Sequence, residues 1–277
     1  MCIASDSDKE IHYEYQLDEH QQAAVEALVE LKRICEKHGI KYYLIAGSAL
    51  GAVRHGGMIP WDDDIDVGLL YGDWYKLREV LPKELNSKFQ YVDDTIEDTW
   101  PRPFGKILYE RTNCIDLFLI AKWTSNPVSG YLHWIAEKIS RGLYTASVNN
   151  IPPLILRPEA NRIQHICTRL KYITRIYVLK PLRKIISRKG NLKILRWNER
   201  YYENKSSKWY INLFSVYPMK KEMIKADWVE SQSLVTYEGE QYTTFGDTDA
   251  YLTHLYGDYM QLPPEEERIK LHSEVFK

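Results

Sequence analysis

Asp64 and Asp66 are the residues most able to do chemistry, because two positions apart on a strand their carboxylates project from one face. On a strand over Ile65 to Leu70, Ile65 and Val67 would point the other way, into a core. Two adjacent carboxylates repel, and a hard divalent cation relieves that repulsion. Mg²⁺ in particular is held by one or two carboxylates together with substrate phosphates and water. Asp62 and Asp63, in the turn before the strand, deepen the negative potential and are assigned supporting roles. Upstream, Gly47-Ser48 lies between a strand expected over Tyr42 to Ala46 and a helix expected over Ala49 to Arg54. Glycine permits a tight turn and a close backbone approach. The N–H groups of a helix start cradle phosphate, to which the Ser48 hydroxyl adds a donor. Arg54 and His55, at the following glycine loop, are further candidate phosphate ligands. A lone D-x-D is more often a solvated acidic turn. The succession of strand, Gly-Ser, helix, glycine loop and D-x-D is what points to a phosphate-handling metal site.

That succession, GSALGAVRHGGMIPWDDDIDVG, resembles the signature of the LicD family, and YLTHLYGDYMQLPPEEERIKLH near the end resembles the family's tail. The resemblance implies an α+β fold: a nucleotidyltransferase-like core of a mixed sheet flanked by helices. It implies a third carboxylate from a neighbouring strand, matched by Asp116 in CIDLF, and a Y-G-D-Y tail folding back on the core, from which Asp258 reaches toward the site. It also implies Mg²⁺ or Mn²⁺, as two ions, on Asp64, Asp66 and Asp116. The implied partners are a CDP-activated small alcohol, of CDP-choline or CDP-ribitol type, and a glycan acceptor or its lipid-linked precursor. The implied reaction moves the phosphorylated alcohol to a sugar hydroxyl and releases CMP. Two alternatives stand beside it: transfer of a nucleoside monophosphate with release of pyrophosphate, and a catalytically silent binding subunit at a membrane surface. Lys106, in FGKILYERT, is placed to neutralise charge on a leaving phosphate, although most lysines are simply solvated.

The elements that must position these groups follow from the pattern of apolar residues. Asp18 is expected to cap a helix running to His38, with Gln21 as capping-box partner and Gly39 as the stop. Ala24, Leu28, Leu31 and Cys35 form its apolar stripe. Asp73 opens a helix that Pro82 should end. Strands are expected over Phe89 to Val92, Gly105 to Tyr109, Ile115 to Leu119, Trp209 to Tyr217, Ser233 to Tyr237 and Gln241 to Phe245, with a last helix over Thr248 to Leu255. Residues 1 to 16 read as a loose arm. The organisation expected is a catalytic core over 1–126, a basic helical insertion over 127–208, and strands and a helix over 209–277 that return to the core.

Net charge is −1, but Arg157 to Lys208 carries fifteen bases against three acids, an excess of +12. Apolar residues interleave at helical spacing. Such a stretch could lie on an anionic membrane surface, grip a polyanion, or present a solvated basic face. No nucleic-acid motif accompanies it, so nucleic acid is not expected. Cys2, Cys35, Cys114 and Cys167 are far apart, which indicates neither a zinc site nor a disulfide framework. The start MCIASDSDKE lacks the features of an export signal, so the expected location is the cytoplasm, peripheral on the inner face of the plasma membrane.

Overall fold

A computed structural model describes residues 16–147, 162–179, 181, 187–215 and 217–268. The expected N-terminal arm and much of the interleaved pattern between Arg157 and Ile186 lie outside the described residues or side chains.

The first helix, α1 (Glu19–His38), begins at Asp18 with both capping-box hydrogen bonds formed and ends at Gly39, whose φ of 59° is the left-handed conformation a helix stop favours. Its stripe of Ala24, Leu28, Leu31 and Cys35 is fully buried. The chain then runs through β1 (Tyr43–Leu44), α2 (Ala46–His55), β2 (Ile65–Leu70), α3 (Tyr71–Glu84), β3 (Phe89–Val92), β4 (Gly105–Tyr109) and β5 (Thr112–Trp123). These strands form one mixed sheet of order β1-β2-β5-β4-β3. The β2–β5 pair is parallel, and its register sets Asp66 beside Asp116. The antiparallel β4–β5 pair sets Lys106 on the other side of Asp116. Ile65, Val67, Ile115 and Leu117 point to the opposite face and are buried there with α1 and α3.

Pro82 does not end α3. The helix continues to Glu84, because a proline in the last turn removes a single backbone bond and Leu81, fully buried, still accepts the Leu85 N–H. β5 is longer than the strand expected over Ile115 to Leu119, since its far half pairs with β6 (Trp209–Asn212) as well. Conversely, the strand expected over Trp209 to Tyr217 stops at Asn212.

Between β5 and β6 come α4 (Pro127–Ser147), α5 (Arg162–Ile173), a π-helical turn over Thr174–Leu179, and α6 (Arg188–Arg200). After β6 follow α7 (Met219–Glu222), β7 (Met223–Lys225), α8 (Ala226–Glu230), the hairpin β8 (Gln232–Tyr237) and β9 (Glu240–Phe245), and α9 (Thr248–Tyr256). Thr244 of β9 donates to Leu44 O at 2.9 Å, so the C-terminal hairpin buttresses the strand that leads into α2. The result is an α+β fold in which one sheet carries the acidic residues on the face away from α1 and α3.

Candidate active site

Three carboxylates converge where β2 and β5 lie side by side. Asp64, just ahead of β2, Asp66 within it and Asp116 on β5 each offer an oxygen within 4.8 Å of the others. Asp62, Asp63 and Asp64 make a second group of the same dimension, sharing Asp64. Desolvation and the charges of Asp64, Asp116 and Asp62 push the Asp66 carboxyl well above the usual carboxylate range, with Lys106 opposing. Asp62 is pushed up to about 8 by burial, then by Asp64 and Asp63. Carboxylates so crowded prefer a proton to a negative charge, and a hard cation with oxygen ligands replaces that proton. The donor set is all oxygen, which fits Mg²⁺ or Mn²⁺ and not a thiolate metal.

The flanking groups fix these side chains. Lys106 forms an ion pair with Asp116 at 2.6 Å. Asn113 donates from Nδ2 to Asp64 Oδ2 at 3.0 Å and is itself buried. Ser48 accepts the Asp66 N–H on its hydroxyl at 2.7 Å. The expectation of Gly47-Ser48 as a turn ahead of a helix at Ala49 is corrected here: α2 already begins at Ala46, and both residues sit in its first turn. The start is strained, with Ala46 at φ 46°, and the Ala46 N–H donates to the Tyr251 hydroxyl of α9 at 3.0 Å. A Cβ at position 47 would stand 3.0 Å from Asp62 Oδ2 and 3.7 Å from Asp66 Oδ2, so a side chain there would crowd the carboxylates. The positive end of α2 therefore abuts the acidic cluster.

Arg54 and His55 lie at the other end of α2, seven residues or about 10 Å along the axis from Gly47. Arg54 donates to Tyr259 O at 2.9 Å and, with His55, packs on Trp61. Burial and the neighbouring Arg54 charge push the His55 imidazole down to about 4, so it is neutral near pH 7. The Y-G-D-Y tail does fold back: Gly257 takes φ 79° at the end of α9, and Tyr256 and Tyr259 pack on the cluster around Phe245 and Tyr251. Asp258 is exposed, belongs to neither acidic group, and lines a shallow cleft of about 330 Å³ with Asp249, Thr253 and Tyr259.

Several positioning residues carry no local signal in the sequence. His20 Nε2 lies 3.0 Å from Asp63 O and 2.7 Å from Asn113 O; both partners are carbonyl oxygens, so Nε2 bears the proton. Gln21 completes the cap of α1 with its Oε1, which accepts the Asp18 N–H, while its Nε2 donates to Asp62 O at 2.7 Å. The first turn of α1 thus clamps both the acidic loop and the start of β5. Tyr237 and Tyr256 are close enough that burial, aided by the Asp62 and Asp66 charges, pushes both phenols up, and they stay neutral donors beside the cluster.

A mixed sheet presenting paired aspartates on one strand and a third on its neighbour, beside a helix start, defines a nucleotidyltransferase-like domain. The model of the LicD/FKTN/FKRP nucleotidyltransferase domain matches residues 39–163, which hold Asp64, Asp66 and Asp116. Over that span, a little under half of its length, the chain is similar to the LicD family. The lipopolysaccharide cholinephosphotransferase LicD of Haemophilus influenzae is 25% identical over 270 residues, 92% of this chain and 96% of that protein. An uncharacterised protein of Rickettsia prowazekii is 36% identical over 86 residues, 31% of this chain and 29% of its own. The human ribitol 5-phosphate transferase FKRP is 30% identical over 99 residues, 36% of this chain and 19% of its own.

Proposed function

We propose that the protein is a divalent-metal-dependent phosphotransferase that moves a phosphorylated small alcohol from a CDP-activated donor to a hydroxyl of a glycan, or of its lipid-linked precursor, releasing CMP. The observation that carries this reading is the convergence of Asp64, Asp66 and Asp116 beside the start of α2, within a chain whose similarity to a cholinephosphotransferase runs nearly its whole length.

Asp64, Asp66 and Asp116 would hold Mg²⁺ or Mn²⁺, with room for a second ion toward Asp62 and Asp63. The cation supplies charge neutralisation on the donor's diphosphate oxygens and on the leaving CMP. The chain's own residues do the positioning. The positive end of α2 would attract phosphate oxygens, and the absence of a side chain at Gly47 lets a ligand approach the backbone there. Lys106, held against Asp116, brings a fixed positive charge to the leaving side. Asn113 and Ser48 fix Asp64 and the Asp66 backbone so that the carboxylates do not reorganise during transfer. The acceptor hydroxyl oxygen bonds to the distal phosphorus, the bond to the CMP oxygen breaks, and the hydroxyl proton is lost. Arg54 and His55, remote along α2, would contact the far part of the donor.

A nucleotidyltransferase using the same carboxylates is the second reading, favoured by the character of the fold itself. Product analysis separates the two. Incubation with a CDP-alcohol, Mg²⁺ and a glycan acceptor should yield CMP and no pyrophosphate. Pyrophosphate release from a nucleoside triphosphate, with CDP-alcohols left intact, would replace phosphoalcohol transfer by nucleotidyl transfer.

A further inference from the structure

The helices between β5 and β6 carry apolar side chains on their outer faces. α4 buries Tyr144 and Ala146 together with the polar Glu137 and Ser140, yet turns Val128, Leu132 and Ile139 outward, Leu132 at 61% exposure. Their spacing of four and seven residues puts them on one stripe, with Tyr131 beside it. α6 repeats the pattern, burying Asn191, Asn198 and Glu199 beside Leu195 while exposing Ile194 and Trp197, the latter at 56%. α5 and its π-helical turn expose Ile166, Leu170, Ile173 and Tyr177, again at spacings of three and four. His133 of α4 stacks on Trp197 of α6 at 5.8 Å, so these two outer faces adjoin. Surface helices normally face their apolar stripe inward; helices that also expose an apolar stripe on the outer face need something apolar to cover it.

Charge says what that is. The acids of α4 and α6 are turned inward, Glu137 beside Lys138 and Arg141, and Glu199 against Arg196 at 2.5 Å. The exposed charges described on α4, α5 and α6 are Arg169, Lys189, Lys193 and Arg200, all basic. A second copy of this face would set like charges against one another. No described helix is long and apolar enough to cross a membrane. Apolar stripes bordered by bases, with Trp and Tyr at the surface, match the boundary of an anionic bilayer, where acyl chains cover the stripe and head groups pair with the bases.

We propose that the outer face of α4, α5 and α6 is a docking surface for an anionic lipid bilayer, on which the protein lies without spanning it. The proposal does not rest on the transfer reaction. The full chain would be floated with vesicles of pure phosphatidylcholine and with vesicles in which about a third of the lipid is phosphatidylglycerol. The expected result is binding to the second only, weakened several-fold on raising salt from about 0.05 M to about 0.5 M. Leu132→Asp and Trp197→Asp should each lower the partitioning on the order of tenfold. Both sites are more than half exposed, so metal binding at the acidic cluster should stay unchanged in both variants, and the melting temperature in Leu132→Asp. Failure to bind anionic vesicles at low salt, equal binding to both lipids, or unaltered binding by both variants would overturn the proposal. So would a wild-type dimer, seen by light scattering, that these substitutions dissociate, because the face would then be a contact between copies.

Discussion

Asp66 has three other carboxylates pressing on it and one lysine opposing them, so without a cation its ionised form is a liability to the fold. Asp66→Asn should therefore abolish turnover and metal binding while raising the melting temperature of the metal-free protein at neutral pH. A variant that keeps normal activity would remove Asp66 from the site. Asp62 gives the accompanying pH dependence. Its folded value of about 8 stands above the unfolded value of about 3.9, so between the two the folded state holds a proton the unfolded state lacks. Metal-free stability therefore falls as pH rises across the window, and the loss is complete above about pH 8. Cation binding must displace such protons, so thermal shifts with Mg²⁺ or Mn²⁺ should be larger at the alkaline end than near pH 5. An equal shift at both would mean that the carboxylates are not the ligands. Asn113 acts through Asp64, and Asn113→Ala should cost roughly 10–100-fold in metal affinity or activity while Asp64 is retained. Asp64 and Asp66 were legible from the succession of strand, Gly-Ser, helix, glycine loop and D-x-D, which their spacing alone would not have marked. Asn113, His20 and Gln21 were not, because each meets the acidic loop or the start of β5 across forty or more residues of chain, and nothing local marks such contacts.

At the scale of elements, what joins the helices of residues 127–208 to the sheet is a buried ionic network. Arg78 of α3 pairs with Asp93 at 2.8 Å and Asp94 at 2.7 Å and lies over the Trp74 ring, while Arg196 of α6 reaches the same Asp94. Removing one partner of a buried pair leaves the other charge uncompensated, so Arg78→Ala should lower stability by about 3–5 kcal/mol, measured by denaturant unfolding. A loss under about 1 kcal/mol would show the network to be solvated in practice. The elements themselves were legible where local signals act alone. α1 has its capping box and glycine stop, and β3 and β4 have their runs of apolar residues. The sequence reading went astray where tertiary contacts decide: α3 runs past Pro82, β5 is lengthened by its pairing with β6, and α2 starts early because Tyr251 of α9 receives the Ala46 N–H.

For the molecule as a whole, the acidic cluster is built from parts far apart in the chain. β2 and β5 supply the carboxylates, α1 clamps their loop, and α9 caps the helix that abuts them. The likeness to the Haemophilus cholinephosphotransferase covers 92% of the chain. The basic excess between Arg157 and Lys208 was legible as charge, but which side chains face outward was not, since an apolar stripe has the same periodicity on either face of a helix. The most direct test of the central claim is a calorimetric titration with CDP-choline, CDP-ribitol, CTP and ATP, each with and without Mg²⁺, on the wild type and on Asp64→Asn. Metal-dependent binding of one CDP-alcohol ahead of both triphosphates, lost in the variant, is the result expected. Preference for a triphosphate, or binding indifferent to metal and to Asp64, would contradict phosphoalcohol transfer at this site.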